Sequence, residues 1–236
     1  MTVNLRPAEQ GTAWTEFMAD TASLEATGEK RGAWLYLTAM TALILSYLWV
    51  WQGTFKGDPL VVVAIFSAIA VSSHKECGET AHDLGFRLDN FWPALKTVMV
   101  VVLPIVLLMF ALGIGLGFFY IRPPEKLIPR VIALPLSSLV QQYGLLGFYF
   151  RRFRIVNPGV LVPTLAAVST FALFHMPNIP LTIATFLSGL LACLLYQKVQ
   201  NLYALAIAHS ILSFAVDTAF SGLLVDGMKV GHRALG

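Results

Sequence analysis

The chain has 236 residues, of which 57% are hydrophobic and 12% charged, and its mean hydropathy is +0.72. That balance excludes an ordinary soluble domain and describes an integral membrane protein. The net charge of +3, with no dense Lys/Arg block interleaved with aromatics, argues against nucleic acid as a partner and suits a lipid bilayer with anionic headgroups.

The first 32 residues carry Glu9, Glu16, Asp20, Glu25 and Glu29, with no basic start ahead of a short apolar stretch. They read as a polar N-terminal arm, not as a cleavable signal peptide. Residues 33–236 then form a single membrane domain, since no repeat or low-complexity linker divides them. Its apolar segments are Ala33–Trp51, Leu60–Ser73, Leu95–Ile121, Val131–Phe150, Gly159–Met176, Ile179–Tyr196 and Leu202–Val225. The expected fold is all-α, a polytopic transmembrane bundle of about seven or eight helices. The second segment is the shortest and would be a partial or tilted crossing. Trp34, Tyr36, Trp49 and Trp51 flank the first span, where aromatic rings favour the interface.

The connection "SHKECGETAHDLGFRLDNF" (residues 73–91) is polar. His74, Cys77, Glu79, His82 and Asp83 match no structural zinc spacing, and they are expected to be solvated loop side chains. Neither a metal nor a cofactor is called for. Cys77 and Cys193 form no CxxC pair. With a cytoplasmic N-terminus, inner loops would hold ten of the 16 Lys and Arg, and Lys56, Arg122, Lys126, Arg130, Lys229 and Arg233 would lie outside. This gives a mild preference for N-in.

Polar side chains inside spans need partners and mark the place to look for function. Gln141 and Gln142 interrupt "SSLVQQYGLLGFYFRRF". Phe171 and His175 are one helical turn apart, as are His209 and Ser213. Asp217 lies some 12 Å beyond His209 by helical rise, and its carboxylate is expected to reach water at the membrane end. Each His alone, and the amides alone, could be packing groups that bond across helices for about 1 kcal/mol. Gly113 and Gly117 in "LGIGLGFF" fit a small-xxx-small packing surface. Ser137, Ser138, Ser210 and Ser213 lack a nucleophile elbow.

From Val131 to Phe214 these motifs together resemble the CPBP family, which includes the type II CAAX prenyl endopeptidases and bacterial Abi-like bacteriocin-protection proteins. The family's paired glutamates fall on Gln141 and Gln142, its arginine on Leu146, its glycine on Gly147 and its trailing basic pair on Arg151 and Arg152. The aromatic-to-histidine motif matches Phe171 and His175. The last motif matches His209, with Ser213 in the place of asparagine or aspartate. The resemblance implies a CAAX-protease-like core over about 131–225, a location in a bacterial cytoplasmic membrane and a prenylated or membrane-embedded peptide as substrate. It assigns Gln141, Gln142, His175, His209 and Ser213 to the catalytic positions, as an intramembrane endopeptidase or a pseudoenzyme. An amide can orient a water but cannot take its proton. Three functions stay open on these residues: a hydrolase with a histidine base, a non-catalytic binder of membrane peptides or lipidated tails (immunity factor, chaperone or sensor), and a small transporter or channel.

Overall fold

A backbone inside hydrocarbon must satisfy its own hydrogen bonds, and this chain does so with helices. The computed structural model describes residues 28–52, 59–223 and 228–235, which contain no strand; the expected arm before residue 28 and the span end at Val225 lie outside them. In order, the helices are α1 (Gly28–Trp51), α2 (Pro59–Glu76), α3 (Phe91–Gly115), α4 (Pro124–Val156), α5 (Leu161–Leu173), α6 (Ile179–Val199) and α7 (Leu202–Ala219). The described residues therefore yield a helical membrane fold with one helix for each apolar segment.

Five of these helices, α1, α3, α4, α6 and α7, are long and apolar enough to cross a membrane. The 13 residues of α5 rise only about 20 Å against a hydrocarbon thickness of roughly 30 Å. The expected crossing over Gly159–Met176 is thus a short helix followed by a turn. Conversely, α4 runs past both ends of the expected Val131–Phe150. It begins at Pro124, where a missing N–H costs nothing, and passes through a π-helical segment, Tyr143–Phe150, before finishing as Arg151–Val156.

The packing follows from which face of each helix is small. On α3, Ala94, Val98, Val102 and Val106 recur every fourth residue and are buried, while Val100, Leu107 and Ile114 stay exposed, an apolar outer face suited to lipid. The buried face of α3 lies against α7, which in turn packs on α4, and α5 packs on α6. At Gly113 the backbones come close: a Cβ there would stand 2.3 Å from the Ala219 carbonyl oxygen. Gly117 does not share this packing role. It has φ +75° with open space around it, and it ends the helix while the Phe118 N–H returns to the Gly113 carbonyl at 2.9 Å.

Buried asparagines close the turns. The Asn201 carbonyl oxygen caps α7 at the Ala204 N–H (2.9 Å), and its NH₂ donates to the Arg87 carbonyl (2.7 Å) and to Asn90 Oδ1 (2.6 Å). One side chain therefore fastens the 77–90 connection to the α6–α7 turn. Because Gly113 faces backbone, which cannot move aside as a flexible side chain can, Gly113→Ala should destabilise the fold by about 1–3 kcal/mol. Thermal unfolding in detergent measures this, and Gly115→Ala, in open space, should leave the midpoint nearly unchanged.

Candidate functional site

Two helices and a turn carry the residues that the motifs single out. Gln141 and Gln142 end the α-helical part of α4, His175 lies in the turn after α5, and His209 and Ser213 sit one turn apart on α7. All five line one cavity of about 820 Å³, otherwise walled largely by apolar side chains of α3, α6 and α7 such as Val102, Leu191, Ala208 and Leu212. Within it, Gln142 Nε2 lies 2.6 Å from His209 Nδ1. Phe171 joins the two histidines: its ring meets His175 edge-on at 5.1 Å and His209 at 6.5 Å between centroids.

The hydrogen bonds fix the protons. His175 Nδ1 is 2.9 Å from the Phe171 carbonyl oxygen; a carbonyl only accepts, so Nδ1 carries the hydrogen and the neutral ring keeps its lone pair on Nε2. The Gln142 NH₂ only donates, so His209 Nδ1 accepts and the neutral ring carries its hydrogen on Nε2. One ring therefore offers an acceptor and the other a donor. Gln142 Oε1 is buried without a hydrogen-bond partner in the protein, a state that costs about 1–3 kcal/mol and favours any ligand or water that can donate to it. No carboxylate lines the cavity among the described residues.

The remaining candidates part from this group. Leu146 is fully buried in the core and off the cavity wall. Ser137 lines the cavity, but its hydroxyl donates to the Leu134 carbonyl (3.0 Å). Ser210 donates to the Ala206 carbonyl (2.8 Å). Asp217 does not reach water as expected. Its carboxylate is buried and bonded to Arg122 Nε (3.0 Å) and Arg122 Nη2 (2.9 Å), with Arg130 Nη2 at 3.2 Å. Those ion pairs tie the start of α4 to the end of α7.

The polar connection also departs from the expected solvated loop. His74 is buried and Glu79 is largely enclosed: His74 Nδ1 donates to Glu79 Oε2 (2.7 Å), and Arg151 Nε donates to Glu79 Oε1 (2.6 Å). Arg152, wholly buried, also bonds Glu79 Oε2 and donates to the Ser73 carbonyl (3.3 Å). On its other side, His74 Nε2 meets the Tyr143 hydroxyl at 2.9 Å. Tyr143 directly follows Gln142, and its ring lies where a side chain at position 147 would be: a Cβ on Gly147 would stand 2.8 Å from it. Gly147 thus lets Tyr143 fold back and link the site helix to the charged network. The signal in the sequence was the basic pair at 151 and 152, which needed a counter-charge somewhere.

A helical membrane bundle thus holds a cavity assembled from its three motif-bearing segments. Residues 123–215 match the family model described as Type II CAAX prenyl endopeptidase Rce1-like, and this stretch, from the start of α4 into α7, is a CPBP-family domain. No curated protein matches the chain. No solved structure matches it either.

The network makes two outcomes measurable. Burial alone would push the Glu79 carboxyl up, but the bonds from His74 and Arg151 and the charges of Arg152 and Arg151 outweigh it and hold its pKa below the ordinary 4.5. A depressed folded-state pKa contributes stability above the unfolded value that is lost as pH falls through the folded one. The unfolding midpoint should therefore drop as pH is lowered below about 4.5, and Glu79→Gln should abolish that acid component. At pH 7 the same variant strands the buried Arg152 guanidinium and should cost about 3–5 kcal/mol, read by thermal unfolding in detergent.

Proposed function

We propose that the chain receives a prenylated or membrane-embedded peptide segment in the cavity between α3, α4, α6 and α7, and holds it without hydrolysing it by a glutamate-dependent route. The observation that carries this reading is the neutral pair at the cavity wall, Gln142 bonded to His209 at 2.6 Å, where no carboxylate among the described residues lines the space. An apolar volume of about 820 Å³ suits a lipid tail or apolar side chains. Gln142 Oε1 and the two histidines supply acceptors and a donor for a peptide backbone that would otherwise enter hydrocarbon unpaired. The family's bacterial members support a cytoplasmic-membrane location.

Hydrolysis by histidine is the second reading, and it is favoured by the bond from His175 Nδ1 to the Phe171 carbonyl, which leaves Nε2 as a lone-pair base. Against it stands the fate of the proton. An imidazolium formed at His175 would sit in a low-dielectric cavity with no carboxylate on its wall among the described residues, whereas histidine bases in hydrolases are commonly paired with one.

One assay separates the two. The full chain in lipid nanodiscs, given farnesylated and transmembrane peptides, should bind them saturably and leave them intact. Leu212→Trp, which fills the cavity, should reduce binding by about tenfold or more, since a buried apolar side chain's worth of contact is lost. Cleavage that disappears in His175→Ala would establish the histidine hydrolase instead.

A further inference from the structure

The cavity is long for its volume. Its α6 wall runs from Pro180 to Leu195, about 22 Å by helical rise, and α7 lines it from Leu205 to Val216, with Phe220 just beyond. About 820 Å³ spread over that length leaves a mean cross-section of roughly 37 Å². An α-helix with its side chains is about 10–12 Å across and needs roughly 80–110 Å², so fewer than two of its turns would fill the whole space. A single extended chain is the form of polypeptide that such a channel admits, and about six or seven residues at roughly 3.3–3.6 Å each span it.

We infer that the ligand is a peptide in an extended, non-helical conformation, one of whose backbone N–H groups donates to Gln142 Oε1, and that an intact membrane-spanning helix is excluded. The inference rests on the binding function proposed above and narrows its ligand to one backbone conformation. A second observation, independent of size, points the same way. Gln142 is only 3% exposed and lines the cavity, and its Oε1 has no hydrogen-bond partner in the protein. Only a donor can satisfy it, and a hydrocarbon tail has none. A spanning helix has none to offer at this depth either, because its interior N–H groups are bonded to carbonyls four residues earlier and its free ones lie in the first turn. An extended backbone, by contrast, enters hydrocarbon with its N–H and C=O groups unpaired and gains most from polar groups on a receptor wall. Those groups sit together. The Gln142 NH₂ is bonded to His209 Nδ1 at 2.6 Å, which leaves the His209 Nε2–H as a donor for a peptide carbonyl, while His175 Nε2 is a further acceptor. Apolar contact alone cannot select a ligand here, since the acyl chains of the bilayer offer the same contact outside the cavity. Specificity therefore falls to the backbone hydrogen bonds.

The test uses the full chain in zwitterionic nanodiscs and three probes. The first is a farnesylated apolar hexapeptide, too short to hold a helix of its own. The second places the same six residues at the centre of an uninterrupted Leu/Ala helix of about 20 residues, long enough to span. The third, farnesyl-cysteine methyl ester, keeps the tail without the hexapeptide. The hexapeptide should bind at least about tenfold more tightly than either of the others, the scale of one buried acceptor satisfied or left unpaired. Replacing its amides one at a time by esters, which removes a single N–H, should cost a similar factor at one position and little elsewhere. In Gln142→Met that position should lose its sensitivity. Because the ester scan is read on the unaltered protein, it decides the matter even if the variant does not fold. Binding of the uninterrupted helix as tight as that of the hexapeptide, or an ester scan flat at every position, overturns the inference. Equally tight binding of farnesyl-cysteine methyl ester assigns the cavity to the tail and overturns it too. If it fails in one of these ways while Leu212→Trp still blocks binding, the cavity function survives; if no probe binds, both fall.

Discussion

The bond between Glu79 and the buried guanidinium of Arg152 is the constraint around which one end of the molecule is organised. A wholly buried cation is tolerated only with a counter-charge and satisfied hydrogen bonds. The carboxylate that supplies them comes from the connection after α2, so that connection must fold over the bundle end instead of trailing into solvent. Asn201 and Asn90 then fasten it to the α6–α7 turn. His74 extends the network to Tyr143, which begins the π-helical segment immediately after Gln142. The orientation of an amide in the membrane interior is thereby linked to an ion pair at its edge.

A second ion-pair group, Asp217 with Arg122 and Arg130, occupies the opposite end of α4. Arg130 and Arg152 are 22 residues apart, about 33 Å along an ideal helix, close to the thickness of a hydrocarbon core. Gln141 and Gln142 fall near the middle of that interval, where an ionised group would be most costly. A neutral amide bonded to a neutral imidazole suits that depth. Leu146, where the resemblance to the CPBP motif would place an arginine, is packed into the core by apolar contacts.

Much of this could be read from the chain alone, because apolar runs and one-turn spacings are local properties. The seven segments became seven helices, and Gln142 and His209 were candidates before their contact was visible. What could not be read were pairings across long separations. Asp217 looked like a carboxylate reaching water because Arg122, 95 residues away, gives no local sign of approaching it. His74 and Glu79 looked solvated because a polar segment between spans has the composition of a loop, and only the fold shows that Arg151 and Arg152 require it. Gly117 had the right spacing for helix packing but serves as a helix end, since a spacing rule does not report the sign of φ.

The division of labour inside the cavity follows from what its groups can do with a proton. A glutamate can give and take one while its charge is balanced by an arginine; an amide can only orient what binds. At this site the amide directs the neighbouring imidazole to be a donor, and the Phe171 carbonyl directs the other to be an acceptor. Opposite roles on adjacent rings are what a peptide group, with one N–H and one C=O, requires of a receptor in a medium that cannot hydrate it. The same groups form a poor proton relay, because moving a proton to His175 would create a cation with no carboxylate on the cavity wall among the described residues. Under the binding function proposed above, the arrangement favours holding a peptide or lipid-linked chain over breaking it.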